Sequence, residues 1–148
     1  MAFKDLALLS HNQKNTVLFY PYVSKKSPKN VGKILNSRWI GQGPLVDEFE
    51  NKFKNMFGGK TNSLATGSGT DALHLAYLLA GIKSGDEVIS TVFTCTATNI
   101  PLLYIGAKIK FADIDLGTMN ISVDSVKKLI TKKTKAIIIV HYGGLPCD

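Results

Sequence analysis

The feature that most constrains this chain is a regular alternation of strand-like and helix-like segments that begins at residue 61. In chain order, the predicted elements are a strand at 61–66, a helix at 70–80, a strand at the end of 84–91, a helix at 96–106, a strand at 107–115, a helix at 122–131 and a strand at 134–141. This order predicts parallel strands joined by right-handed crossovers. The last strand is rich in Ala and β-branched residues, so we expect it to be buried on both faces. The sequence therefore predicts an α/β fold around a parallel sheet.

A different pattern precedes this alternation. Ser27-Pro28 predicts the start of a helix that continues over 29–37, because proline is tolerated in the first turn of a helix. A glycine-containing loop at 38–44 then leads to a helix at 45–57, which Gly58-Gly59 ends. Its apolar stripe recurs at four-residue steps, at Leu45, Phe49, Phe53 and Phe57. We predict residues 1–30 to be an extended segment with a helix start, and 31–148 to form the domain that follows.

Composition and charge exclude several classes of protein. The 148 residues suffice for one domain, and Cys95 and Cys147 have no metal-ligand spacing. Apolar runs fall short of the ~20 residues that a membrane helix needs, and we identify no signal peptide, so we expect a cytoplasmic protein without a membrane partner. The net charge of +7 comes mainly from residues 1–60. That surplus of positive charge could bind a phosphorylated small molecule or form a solvent-exposed face. Because no nucleic-acid-binding motif accompanies it, we predict no nucleic-acid partner.

A turn of small residues, Gly67 to Asp71, opens the helix predicted at 70–80. A turn from strand to helix exposes backbone N–H groups at the positive end of the helix dipole, and glycine lets a phosphate approach them. The alternative is a tight turn with Ser68 or Thr70 as the helix cap. The turn matches neither a dinucleotide fingerprint nor a Walker P-loop. Phosphate binding and simple capping are both open on this pattern alone.

Other polar residues follow the predicted strands. The cluster at 93–99 opens the next helix, where Thr96 or Thr98 could serve merely as a cap, and Cys95 could be a small buried apolar residue rather than a nucleophile. His141 ends the last strand and could be structural or catalytic. Trp39 could cover a ligand or anchor its loop. Asp113 and Asp115 lack a third ligand nearby, so we predict no metal site.

Four stretches together resemble one known family. "NSRWIGQGPLVDEFE", "TGSGTDALHLAYLLAGIKSGDEVIS", "FTCTATNIPLLYIGAKIKFADIDLGTMNIS" and "ITKKTKAIIIVHYGGLPCD" are similar, in order and spacing, to the first part of the DegT/DnrJ/StrS family. Its members are pyridoxal-phosphate-dependent sugar aminotransferases with the aspartate aminotransferase fold (fold type I). The resemblance implies that 31–148 is the amino-terminal part of the cofactor-binding large domain, with its parallel-sheet sandwich incomplete. It also implies amino transfer, usually from glutamate, to a nucleotide-linked keto sugar used in surface polysaccharide or lipopolysaccharide synthesis, by a homodimer.

The same resemblance assigns expected roles to individual residues. Gly69, Thr70 and Asp71 correspond to the turn that holds the cofactor phosphate. Cys95 and Thr98 lie in the segment that covers the cofactor ring, and Cys95 stands where many members have a stacking aromatic residue. His141 is expected near the cofactor. Residues bordering the substrate site are expected at Trp39, Ile40 and Gly41.

The resemblance also indicates what this sequence lacks. The family's Schiff-base lysine, and the aspartate that pairs with the pyridine nitrogen, correspond to positions after Asp148. We therefore predict no catalytic residue in these 148 residues, and an inactive chain if nothing follows. Two alternatives stay open: a related sugar dehydratase, in which a histidine replaces the lysine, and a non-catalytic phosphate-binding fragment.

Overall fold

The computed structural model describes residues 21–148, so the part of the predicted N-terminal segment at 1–20 lies outside the described residues. The described chain divides into two compact units, one up to Asn51 and one from Lys52 to Asp148. Each unit is described by itself below.

Two helices account for most of residues 21–56. Helix α1 spans Ser27–Ser37 with proline in its first turn, as predicted, and it ends at Arg38, which adopts a left-handed conformation (φ 60°). Helix α2 spans Pro44–Met56 and crosses the boundary between the units. After it come Gly58 and Gly59, whose φ values of 96° and 72° favour glycine. Its predicted apolar stripe is present, but all four residues of that stripe are exposed among the described residues.

The second unit contains a parallel sheet with the strand order β2-β1-β3. Its strands are β1 (Glu87–Thr91), β2 (Lys108–Ala112) and β3 (Thr134–Ile137). Its helices are α3 (Gly69–Leu79), α4 (Thr96–Ile105) and α5 (Val123–Leu129), and a short 3-10 turn follows at Tyr142–Gly144. The α/β fold with a parallel sheet is confirmed. Among residues 21–148, every helix is too short or too polar to span a bilayer.

The core of this unit lies on both sides of β1. Val88 packs in a cluster with Tyr77 of α3 and Leu102 of α4. Its neighbour Ile89 points to the opposite face and packs with Val126 of α5. Because side chains alternate along a strand, one fully buried strand holds helices on both faces of the sheet. This layering positions the N-terminus of α4 directly after the carboxyl end of β1.

Three strand predictions need correction. Residues 61–66 form no strand, because an extended segment becomes a strand only when a neighbour completes its ladder, and none does so within residues 21–148. The last strand is shorter than predicted and is not buried on both faces: β3 lies at a sheet edge, and Ile137 is 42% exposed. The strand predicted at 107–115 stops at Ala112, and Ile114 instead forms an isolated antiparallel bridge with Ile121.

Candidate functional site

The N-terminus of α3 is capped by the serine of the predicted turn. Ser68 is extended, and its Oγ accepts a hydrogen bond from the Asp71 N–H at 3.1 Å. The same hydroxyl donates to Asp71 Oδ2 at 2.9 Å. Thr66 Oγ1 donates to the Ser68 carbonyl at 2.9 Å and so steadies the residue before the helix. The alternative of capping by Ser68 is thus realised, and Thr70 is left free of that role.

Capping by Ser68 does not close this helix end to a ligand. The first intrahelical bond runs from the Ala72 N–H to the Ser68 carbonyl, so the N–H groups of Gly69 and Thr70 have no partner within the helix. A Cβ built on Gly69 would meet no atom within 4 Å, so the space beside these donors is open. Two free N–H groups at the positive end of a helix, beside an open surface, suit a phosphate group.

The N-terminus of α4 is built differently. Its first flanking residue is Cys95, which is exposed and makes no capping hydrogen bond through its side chain. Thr98 is buried, and its Oγ1 pairs with Thr94 Oγ1 at 2.8 Å. The Tyr77 hydroxyl donates to the Thr98 carbonyl at 2.9 Å, and burial raises the pKa of Tyr77, which keeps that hydroxyl protonated as a donor. Neither Thr96 nor Thr98 is the helix cap; Thr98 ties α4 to α3.

An asparagine fastens α4 to the end of β1. Asn99 Oδ1 accepts from the hydroxyl of the fully buried Ser90 at 2.6 Å, and its Nδ2 donates to the Thr91 carbonyl at 3.0 Å. Thr91 Oγ1 in turn accepts from the Phe93 N–H at 3.0 Å. These bonds fix the path of the chain from β1 into α4, and with it the predicted cofactor-covering segment 93–99.

The segment after β3 contacts the connection between β1 and α4 through a pair of aromatic rings. The rings of Phe93 and Tyr142 lie 4.7 Å apart between centroids. His141 is exposed, and its Nδ1 accepts from the Cys147 N–H at 3.0 Å. Of the predicted cofactor residues, the structure thus brings the neighbourhoods of Cys95 and His141 together, through Phe93 and Tyr142.

Sequence reasoning missed Asn120, which organises the same segment. Asn120 is 4% exposed; its Nδ2 donates to the carbonyls of Leu145 and Pro146, and its Oδ1 accepts from the Tyr142 N–H. In the sequence, Asn120 is simply an asparagine in the turn before α5. Asparagine is common in turns, so its identity does not indicate which distant groups it binds.

The paired aspartates serve local structure. Asp115 Oδ1 accepts from the N–H groups of Gly117 and Thr118 and from the Thr118 hydroxyl. These hydrogen bonds, with those to Thr118 the strongest, hold the pKa of Asp115 below its usual value. Asp113 Oδ1 accepts from the Ile114 N–H. Within residues 21–148 no group of three His, Cys, Asp or Glu residues could hold a metal ion.

The predicted substrate residues lie in the first unit. Trp39 Nε1 donates to the Gln42 carbonyl at 2.8 Å, and a Cβ on Gly43 would collide with the indole ring. Ile40 is 70% exposed, and Gly41 is exposed. A cavity of about 170 Å³ at this loop is lined by Ser37, Trp39, Gly41, Gly43, Pro44 and Leu45. The indole therefore anchors its own loop and also forms a wall of a small cavity.

Comparison with known proteins gives a consistent result. The profile of the DegT/DnrJ/EryC1/StrS aminotransferase family matches residues 21–148. The spore coat polysaccharide biosynthesis protein SpsC of Bacillus subtilis is 39% identical over 128 residues, which cover 86% of this chain and 33% of that protein.

Solved structures agree with the sequence match. The sugar aminotransferase CalS13 of Micromonospora echinospora shares 33% identity with a TM-score of 0.74, over 86% of this chain and 34% of that one. A GDP-4-keto-6-deoxy-D-mannose-3-dehydratase of E. coli, solved with bound hydrated pyridoxal phosphate, shares 30% identity with a TM-score of 0.73, over 84% and 33%. The chain thus spans about a third of the length of the relatives it matches.

Proposed function

Because the chain belongs to the DegT/DnrJ/EryC1/StrS aminotransferase family, we propose that it supplies the cofactor-phosphate site of a pyridoxal-5′-phosphate-dependent enzyme. That enzyme transfers an amino group from an amino acid, expected to be glutamate, to a keto sugar carried on a nucleotide. The observation that carries the proposal is the open N-terminus of α3, where the Gly69 and Thr70 N–H groups lie free beside open space. The resemblance to enzymes named as sugar aminotransferases supports it.

The cofactor fits the described residues at its phosphate end. The Gly69 and Thr70 N–H groups would hold the phosphate, and the Ser68–Asp71 hydrogen bonds would keep the turn in place. When bound, the cofactor would supply the electron sink that amino transfer requires. The protein's own contribution here is to bind the phosphate and orient the cofactor.

Other site assignments extend this proposal. The segment 93–99, fixed to β1 by Asn99, would cover the cofactor ring, with Cys95 exposed at its helix end and Thr98 buried behind it. His141 would lie near the cofactor. The loop containing Trp39, Ile40 and Gly41, with its cavity, would border the sugar substrate.

The remaining chemistry is expected outside these 148 residues. There, the family's lysine would hold the cofactor and serve as the acid–base group, and the family's aspartate would pair with the pyridine nitrogen. The proposal includes a cytoplasmic homodimer that works in polysaccharide synthesis; the polysaccharide role named for the Bacillus subtilis relative supports the pathway class.

A second candidate function is sugar dehydration with the same cofactor. The similarity to the GDP-4-keto-6-deoxy-D-mannose-3-dehydratase supports it as directly as the similarity to CalS13 supports amino transfer. The deciding residue is the family's lysine, which a histidine replaces in the dehydratases. Reading the gene past the codon for Asp148 tests this: a lysine in the family's setting supports amino transfer, and a histidine supports dehydration.

The phosphate site is tested by replacing Thr70 with a bulky residue. We expect Thr70→Phe to raise the dissociation constant for pyridoxal phosphate by about tenfold or more, because the bulky ring would obstruct the phosphate as it approaches the backbone N–H groups. Thr70→Ser is the matched control and should bind like the original protein. The measurement is an absorbance titration of the purified protein, with circular dichroism to confirm folding.

Unchanged affinity in Thr70→Phe would reject this position for the phosphate. Inorganic phosphate separates the third possibility, a non-catalytic phosphate-binding module. If inorganic phosphate binds as tightly as pyridoxal phosphate, the ring contributes nothing, and the enzyme proposal loses its support.

A further inference from the structure

Asn120 lies between β2 and α5, far in sequence from the residues that it holds. Its side chain is 4% exposed, and three hydrogen bonds occupy its amide group. Nδ2 donates to the Leu145 carbonyl at 3.0 Å and to the Pro146 carbonyl at 3.1 Å. Oδ1 accepts from the Tyr142 N–H at 2.9 Å. A single buried side chain therefore forms hydrogen bonds to both ends of the segment 142–146.

The Asn120 bonds are costly to break. If the Asn120 amide is removed, the backbone groups that it binds lose their hydrogen-bond partner. Each group that stays buried then costs its full desolvation free energy. Residues 141–147 form only a short 3-10 turn of their own at Tyr142–Gly144. Their other described hydrogen bonds are local: the Cys147 N–H donates to His141 Nδ1, and the Cys147 thiol donates to the Val140 carbonyl. Cys147 also packs against the core cluster on the α5 side. Within residues 21–148, the Asn120 side chain makes the hydrogen bonds that tie 142–146 to a distant part of the chain.

Through Tyr142, Asn120 is linked to an aromatic contact. The Tyr142 N–H that Asn120 holds belongs to the residue whose ring packs on Phe93, with the centroids 4.7 Å apart. Phe93 is bound in turn to Thr91, at the end of β1. Phe93 opens the segment 93–99 that is proposed to cover the cofactor ring.

We propose that Asn120 is a positioning residue for the cofactor site: it holds Tyr142 against Phe93 and thereby fixes the segment that covers the cofactor. This inference rests on the proposed function for the identity of the ligand. The positioning itself is a property of this chain and can be measured without ligand. Asn120 touches no reacting atom; it acts only through Tyr142 and Phe93.

The test compares Asn120→Ala with Tyr142→Ala. Tyr142 is 46% exposed, so its ring can be removed with little loss of core packing, while its backbone N–H still reaches Asn120. Ile82→Ala is the control for general destabilisation, because Ile82 is buried in the core cluster that contains Val88 and Leu102, and that cluster includes no residue of 141–147. The readouts are nuclear Overhauser contacts between the Phe93 and Tyr142 rings, amide exchange at Tyr142, and the dissociation constant for pyridoxal phosphate.

We expect Asn120→Ala to abolish the ring contact and to speed amide exchange at Tyr142 about tenfold, as for the loss of one hydrogen bond. Tyr142→Ala should keep its amide protected. Both variants should weaken pyridoxal phosphate binding by the same factor, and the double variant should bind no worse than either, because the two residues act as one unit. Ile82→Ala should leave affinity and ring contact unchanged.

Three results would overturn the inference: a ring contact that persists in Asn120→Ala, affinity that stays unchanged when the contact is lost, or additive losses in the double variant. If Asn120→Ala does not fold, Tyr142→Ala decides by itself, since unchanged affinity there removes the proposed route of action. If the original protein binds no pyridoxal phosphate, the proposed function fails, whereas the ring contact and amide exchange still decide whether Asn120 positions the segment.

Discussion

The N-termini of α3 and α4 look alike in sequence and differ in structure. Each follows a run of small polar residues. At α3, one serine caps the helix, and two N–H groups remain free beside open space. At α4, the flanking Cys95 caps nothing through its side chain, while Thr98 and Asn99 bind buried groups of α3 and β1. The first end is open to a ligand; the second, called the closed end below, is fastened to its neighbours by buried groups, although Cys95 itself is exposed.

The difference shows how a helix terminus becomes a binding site or a structural joint. A cap that satisfies one N–H locally leaves the others available to an anion. Side chains that satisfy distant buried groups fix where the helix lies instead. In the proposed enzyme, the first end would hold the phosphate and the second would hold the wall that covers the ring.

The largest expected effect comes from breaking the closed end. Asn99→Ala leaves the fully buried Ser90 hydroxyl without its acceptor and removes a donor from the Thr91 carbonyl. We expect the free energy of unfolding to fall by about 2–3 kcal/mol, the cost of buried polar groups left unsatisfied. Urea denaturation monitored by circular dichroism measures this.

Two further variants sharpen this prediction. Asn62 is exposed and accepts only from Lys54 among its described hydrogen bonds, so Asn62→Ala should change stability by less than about 0.5 kcal/mol. Ser90→Ala combined with Asn99→Ala removes both partners and should be less destabilised than the sum of the two single variants. Simple additivity would show that the Ser90–Asn99 bond does not close this helix end.

A smaller effect is expected at the open end. Ser68→Ala removes the only side-chain cap described for α3 and should cost about 1 kcal/mol of unfolding free energy, the usual value for an N-cap. Cys95→Ala is the matched change at α4, and because Cys95 makes no cap bond, its cost should stay below about 0.5 kcal/mol. Thermal unfolding of the two variants in parallel tests the comparison, which equal losses would contradict.

Much of the fold could be predicted from sequence because its signals are local. Helix periodicity and caps placed α1 to α5 within a few residues of their structural bounds, and in the structure Ser122 caps α5 by accepting from the Ser125 N–H. Strands depended on partners. Residues 61–66 have a strand-like pattern, and the sequence of β3 is apolar. Whether such a segment pairs and is buried nevertheless depends on neighbouring strands rather than on the segment itself.

The site could be predicted only in part, for the same reason. The residues of the turn Gly67 to Asp71 by themselves predict either an anion site or a helix cap. Asn99 and Asn120 do not indicate their roles in this way, because those roles depend on partners up to 26 residues away in sequence. An asparagine in a turn or in the first turn of a helix has many uses, and only packing selects one.

The smallest expected effect lies at the opposite end of β1, where charge replaces neutral hydrogen bonds. The Glu87 carboxylate lies 2.8 Å from Lys110 Nζ and accepts from the Thr131 hydroxyl at 2.5 Å, and its side chain is 15% exposed. The Lys110 hydrogen bond first, and then Thr131, hold the pKa of Glu87 below its ordinary value. This network holds the start of β1 in place, as Asn99 does at the end of the strand. Unlike the Asn99 hydrogen bonds, its contribution to stability changes with pH.

The sign of the pH effect follows from that lowered pKa. The folded state favours charged Glu87, so its contribution to stability is present above the unfolded pKa, about 4.3, and is lost as pH falls through the lower folded value. We expect Glu87→Gln to be less stable than the original protein at pH 7, with the difference shrinking below about pH 4. Asp124→Asn, at an exposed pair with Lys127, should show no such trend. Urea unfolding at several pH values measures both, and a Glu87→Gln difference that stays constant with pH would show that the carboxylate charge does not stabilise this end of the strand.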